Sequence, residues 1–224
     1  MIIDNIEKIR TRIRAAAQRA GRNPDSVSLV AVTKYAKLEA VKELLDSGLV
    51  AEVGENRVQE AQAKKQALGA AALKARWRMI GHLQTNKAKK ALELFDAVDS
   101  LDDLRVAEAL ERGLAGGQRR FPVLVQVKLT GKAAQSGVAP EGLEELLEGL
   151  KGFPHLEARG LMAIAPELSP VEAVRPHFRD MRRLFDRFFA GEPAAQLSMG
   201  MSRDFEIAVE EGATHIRVGS QIFS

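Results

Sequence analysis

Apolar positions in the first twenty residues fall at helical spacing. Ile2, Ile6, Ile9, Ile13, Ala16 and Ala20 recur every three or four residues with charges between them. Gly21 and Pro24 stop that pattern. The next run, SLVAVTK from Ser28 to Lys34, is apolar and β-branched with no polar alternation, as a strand covered on both faces of a parallel sheet reads. The same unit then recurs. Strands are predicted at LVAEVGEN, RWRMIGHLQ, LFDAVDS, FPVLVQVKL, LEARGLMAIAP, AQLSMGMS and HIRVGSQIF, and helices over 37–47, 57–68, 86–94, 102–113, 141–151, 171–190 and 203–211. Strict alternation calls for a parallel sheet with crossover helices, an α/β fold. Eight such units predict a closed (β/α)8 TIM-type barrel, with the extra N-terminal helix covering the place where an eighth following helix is missing. A doubly wound open sheet is the alternative, because periodicity does not distinguish closure from opening. No linker or compositional break divides residues 1–224, so a single domain is expected.

Composition narrows the class. A chain of 224 residues, 46% hydrophobic, buries a substantial core unaided. No apolar stretch approaches the roughly 20 residues that span a bilayer. The N-terminus mixes acids and bases and lacks a signal peptide's apolar centre. There are no cysteines, which excludes disulfides, thiolate metal sites and a cysteine nucleophile. A cytoplasmic protein with no membrane segment is expected. The net charge of +3 is small and the charges are interspersed. The densest basic run, Lys87, Lys89 and Lys90, reads as a solvated helix face rather than a nucleic-acid patch. The four histidines show no metal-ligand spacing, and no Walker loop or GxGxxG is present.

In a parallel barrel, chemistry sits where strands end. Lys34 closes the first strand, and an amine there can attack a carbonyl; the ordinary fate of such a lysine is to snorkel into solvent. SMGMSRDFEIAVEEGA reads as strand, glycine turn and helix, with Ser202 where an N-cap belongs, and a helix start offers free N–H groups to a phosphate. RVGS, after the final strand, adds Gly219 for close backbone approach and the Ser220 hydroxyl. Phosphate sites formed after strands seven and eight recur in barrels; ordinary turn chemistry is the competing reading for each loop alone. Arg217 points inward, which is costly without a partner, and a salt bridge to Glu55 or Asp99 would supply one. Asn56 is either a ligand contact or a local turn residue. His82 can stack or titrate, though a lone histidine is more often structural.

AVTK, VGENRVQE, WRMIGHLQTNK, AVDS, GLMAIAP and SMGMSRDFEIAVEEGATHIRVGSQIF together resemble the successive motifs of the pyridoxal phosphate homeostasis proteins, from about residue 28 to the C-terminus. The resemblance implies a fold similar to the N-terminal barrel of alanine racemase, the fold-type III pyridoxal-phosphate proteins. It implies that Lys34 is the Schiff-base lysine and that Ser202, Gly219 and Ser220 hold phosphate. It also implies that Arg217 faces the pyridine nitrogen and that Asn56 and Met199 line the pocket. The chain departs from the family pattern at Val53, usually aromatic, and at Arg57, often tyrosine. In the Gly131 to Gly137 loop, Gln135 stands near the usual lysine.

Two activities follow from that likeness. One is a holder of pyridoxal 5′-phosphate that buffers the cofactor or delivers it to apo-enzymes, without significant catalysis; the other is a racemase or related fold-type III enzyme. Racemisation needs acid–base groups on both faces of the carbanion. In the racemases the second base is a tyrosine from an added β-domain, which this sequence lacks. Its one tyrosine, Tyr35, should point away from Lys34 by strand alternation. The holder is therefore the expectation, as a monomer, because the absent β-domain is the racemases' dimer partner. A Schiff-base aldolase without cofactor is a third class, distinguished by lack of colour.

Overall fold

The structure, a computed structural model, describes residues 1–130 and 136–224. Eight parallel strands close on themselves in chain order: β1 (Ser28–Val32), β2 (Glu52–Glu55), β3 (Arg76–Met79), β4 (Ala97–Leu101), β5 (Phe121–Lys128), β6 (Leu156–Ile164), β7 (Gln196–Met201) and β8 (His215–Val218). The seam is β1 against β8, with Ser28 opposite His215 and Ala31 opposite Val218. The (β/α)8 barrel is thus the fold, and the open-sheet alternative is excluded by that pairing. The crossover helices are α2 (Leu38–Asp46), α3 (Val58–Leu68), α4 (Ala88–Leu94), α5 (Leu104–Leu114), α6 (Leu143–Leu150), α7 (Arg175–Phe189) and α8 (Phe205–Glu210). Predicted strands overran their C-terminal ends, since RWRMIGHLQ pairs only as far as Met79. Beyond that point the chain turns irregular at the barrel mouth.

Helix α1 (Ile2–Arg19) buries Ile2, Ile6, Ile9, Ile13 and Ala16 of the expected stripe, joined by Ala17, while Ala20 falls at the C-cap and is half-buried. It packs on α8 and on a further single turn, α9 (Ser220–Phe223), that follows β8. The missing eighth helix is therefore replaced by two pieces, α1 and α9. Among the described residues, no helix is long and apolar enough to cross a membrane. In α4, Lys90 pairs with Glu93 at 2.8 Å on the exposed face.

Strand residues opposite one another in register share a face of the sheet. Ala31, Val53, Trp77, Val98 and Val123 lie in the continuous apolar core between sheet and helices. The other face, inside the barrel, is charged. Arg78 forks onto Asp99, with Nε at 2.8 Å and Nη2 at 2.7 Å, and reaches Glu52 at 3.0 Å and the Gln196 side chain at 2.7 Å. Arg78, Asp99 and Glu52 are all buried. Burial alone would lower the Arg78 pKa, but Asp99 and Glu52 outweigh it and raise it above the ordinary arginine value.

His215 opens β8 inside this cluster, with Nδ1 2.9 Å from Thr214 Oγ1 and Nε2 3.5 Å from Glu52. Burial first, and then Arg78, Arg76 and Arg217, push its pKa down to about 3, against the pull of Asp99. An unfolded histidine titrates near 6.5, so acid protonates the unfolded chain first. Stability present above pH 6.5 is therefore lost as pH falls from about 6.5 toward 3. The loss at the acid end is on the order of 4 kcal/mol. Denaturant melts of the wild type and His215→Asn from pH 7 to pH 4 should show a shallower pH slope in the variant. Parallel slopes would refute the assignment.

Candidate functional site

β1 ends at Val32, and the chain then turns through Thr33–Lys34–Tyr35 to Ala36, whose N–H donates to the Thr33 carbonyl at 3.0 Å. Thr33 is fully buried. Its N–H donates to the Gly54 carbonyl at 3.1 Å, and its hydroxyl donates to Glu55 Oε1 at 2.5 Å. Lys64, from α3, donates to both the Thr33 carbonyl and Glu55 Oε1 at 2.5 Å. The peptide that precedes Lys34 is thereby fixed on three sides. Lys34 itself is half-buried and faces a cavity of about 730 Å³ at the barrel mouth.

Asn56 follows β2 and lines the same cavity. Its Oδ1 is buried without a hydrogen-bond partner. Gly81 presses against it so closely that a Cβ there would lie 2.3 Å from the Asn56 carbonyl oxygen. Only glycine permits that approach. From the other side come Ser202, after β7, and Gly219 and Ser220, after β8, all lining the cavity. A Cβ on Gly219 would stand 2.9 Å from the Val32 carbonyl, so its backbone lies hard against the end of β1.

Arg217 is buried and also lines the cavity. It donates to the Ser198 hydroxyl and the Ala163 carbonyl, both at 2.7 Å. Among the described residues it makes no ion pair. The two carboxylates that the sequence offered as partners are taken elsewhere, Asp99 by Arg78 and Glu55 by Lys64. Burial pulls the Arg217 pKa down to about 10, helped by Arg78 and opposed by Asp99 and Asp204.

Three expectations need correction. Met199 does not line the cavity. It alternates with Ser198, which faces Arg217 inside the barrel, so Met199 points into the outer apolar core, and Met201 takes the cavity position. Ser202 is not the cap of α8, because that helix begins at Phe205 after Asp204, whose carboxylate accepts from Met201 N–H at 2.6 Å. Tyr35 does not point away. It lies in the turn, where strand alternation no longer applies; the residue borders the cavity, largely exposed, and its ring centroid is 5.0 Å from Lys34 Nζ.

The alanine racemase N-terminal domain model matches residues 5–224. A curated pyridoxal phosphate homeostasis protein of Pseudomonas aeruginosa is 41% identical over 99% of this chain and 94% of its own length. This chain belongs to the pyridoxal phosphate homeostasis protein family. A second family member, from Aquifex aeolicus, is 38% identical over 98% of this chain and 96% of its own. PipY of Synechococcus elongatus, solved with pyridoxal phosphate bound, superposes with a TM-score of 0.79 at 36% identity, covering 95% of this chain and 99% of PipY.

Two departures of this homeostasis-family chain, Val53 and Arg57, fall away from the cavity. Val53 is buried in the outer core, and Arg57 is exposed and paired with Glu60 at 3.0 Å. Gln135 and residues 131–134 lie outside the described residues; Gly137 N–H donates to Asp102 Oδ2 at 2.9 Å. His82 stands 3.9 Å from Asp102 and borders a separate hollow. Lys64 escaped the sequence reading, as did the close approach of Gly81 to Asn56. The approach could have been found, since the glycine ends an apolar run immediately before the polar HLQTNK segment.

Proposed function

We propose that this protein holds pyridoxal 5′-phosphate reversibly as a Schiff base on Lys34 and buffers it or passes it to apo-enzymes. The observation that carries the reading is convergence: Lys34, Asn56, Ser202, Arg217, Gly219 and Ser220 come from four strand ends to one cavity. The names of the relatives and the pyridoxal phosphate bound in PipY support it. The residues present also fit the cofactor. Asn56 has a buried polar atom without a partner, Arg217 is a buried donor with only neutral acceptors, and a Cβ would fill the backbone cradle at Gly219.

Pyridoxal phosphate supplies an aldehyde that an amine captures and a pyridine ring that withdraws electrons. Lys34 provides the amine. Ser202, Gly219 and Ser220 offer hydroxyls and backbone N–H groups to phosphate oxygens. Arg217 can only donate, so beside a pyridine nitrogen it keeps that nitrogen unprotonated and damps the ring's electron pull.

The tyrosine now found at the cavity does not argue for racemisation. It is largely exposed, with its ring centroid 5.0 Å from the Lys34 amine, whereas two-base chemistry needs a second base held on the face opposite the lysine. Titration of the purified protein with pyridoxal phosphate should produce a visible band that borohydride bleaches, and the loaded protein should activate an apo-enzyme on mixing. A protein that stays colourless at saturating cofactor refutes the reading. Amino-acid turnover near 1 s⁻¹, the lower range of ordinary enzymes, would replace the holder with an enzyme.

A further inference from the structure

The two loops read as the phosphate site come from different strands. The last register pair between β7 and β8 is Met201 with Arg217. Past it, Ser202 and the Gly219–Ser220 segment need another tie. One side chain supplies it. Gln221, the second residue of α9, donates from Nε2 to the Ser202 carbonyl at 2.6 Å. Its Oε1 accepts from Arg12 Nη1, on α1, at 2.7 Å.

Arg12 is itself fixed. It makes paired hydrogen bonds to Glu206 at 3.2 and 3.0 Å, and its guanidinium lies 4.5 Å from the centre of the Phe205 ring. A guanidinium cannot accept a hydrogen bond. Arg12 therefore selects the amide orientation in which Oε1 faces the arginine, and this leaves the NH2 group for Ser202.

We propose that Gln221, oriented by Arg12, is a positioning residue that sets the spacing between the Ser202 loop and the Gly219–Ser220 loop, and thereby the selectivity for a phosphorylated ligand. The proposal rests on the reading of these loops as the phosphate site. Gln221 directly follows Ser220, so pinning its amide to the Ser202 carbonyl fixes the Ser220 hydroxyl and the Gly219 backbone relative to the Ser202 hydroxyl. Donors that must converge on one phosphate tolerate only tenths of an ångström of drift. Among the described residues Lys34 shares no hydrogen bond with Gln221 or Arg12, so its amine does not depend on this tie.

The test compares pyridoxal 5′-phosphate with pyridoxal, which has the aldehyde and ring but no phosphate, by absorbance titration of the full-length protein. Gln221→Met removes both hydrogen bonds at similar length and without adding charge. It should bind pyridoxal phosphate about three- to tenfold more weakly, the effect of one or two hydrogen bonds. Pyridoxal capture should be unchanged, and the apo melting temperature close to that of the wild type. Arg12→Met should act in the same direction, and the double variant should be no weaker than Gln221→Met; if Gln221→Met does not fold, Arg12→Met carries the comparison. Equal weakening for both ligands would mean a merely structural role, and no weakening for either would remove Gln221 from the site; both overturn the proposal. A wild-type protein that does not prefer the phosphorylated ligand overturns the phosphate-site reading itself, and this proposal with it.

Discussion

Lys34→Ala is expected to abolish the visible absorbance that the protein gains with pyridoxal 5′-phosphate, and to leave borohydride nothing to trap on the chain. The effect is large because, among the described residues, Lys34 is the one lysine lining the cavity. Lys64, nearby in α3, is committed to the Thr33 carbonyl and to Glu55, so it cannot stand in. The side chain removed by the substitution makes no hydrogen bond that shapes the turn. That turn is fixed by Thr33, Gly54, Glu55 and Lys64, so the apo variant should fold and melt as the wild type does. The remaining polar contacts, each worth roughly 0.5–1.5 kcal/mol, should retain some cofactor noncovalently. Equilibrium dialysis would detect that residue, and mass spectrometry after reduction would show no adduct. A reduced adduct on another lysine of Lys34→Ala would refute the assignment.

Arg78→Met should be the most damaging single change away from the cavity. Asp99 and Glu52 are buried, and Arg78 bonds both. Removing one partner from a buried ionic cluster costs about 3–5 kcal/mol, because the charges left behind stay desolvated. For a chain of this length that corresponds to a fall in melting temperature of roughly 6–20 °C. Adding Asp99→Asn removes the charge most directly orphaned and should recover part of the loss. Glu52 keeps Arg76 at 3.0 Å, so its charge stays compensated and should add little to the loss that remains. Calorimetry of the two variants decides; an unchanged melting temperature in Arg78→Met would show that the cluster contributes nothing.

The barrel was legible because its signal repeats. Short apolar runs alternate with amphipathic stretches from Ser28 onward, and each misplaced boundary costs only a few residues. The charged barrel interior was less legible. Arg76 and Arg78 in RWRM occupy alternate positions, and so share one face, but a strand end beside solvent gives the same pattern. Only the register with Gly54 and Ala97 places Arg78 inside. At the site, Lys34, Asn56, Ser202, Arg217, Gly219 and Ser220 came from strand-end positions, and the structure brings all six to one cavity. Met199 failed because a resemblance carries a residue's neighbourhood more readily than its side of a strand. Tyr35 failed because β1 stops two residues before Lys34, and alternation ends with it. Gln221 and Arg12 were invisible, since α1 and α9 meet only once the barrel has closed.

The seam between β1 and β8 has a consequence for the order of events in the life of the chain. Lys34 leaves the ribosome early, whereas Arg217, Gly219 and Ser220 emerge with the last strand. Pairing β1 with β8 is among the most sequence-distant contacts in the molecule, and such contacts form slowly because a long loop must close before they are rewarded. Until they form, Lys34 stands apart from Arg217, Gly219 and Ser220, the residues proposed to hold phosphate and face the ring. On the proposed function, specific retention of the cofactor therefore becomes available only with barrel closure.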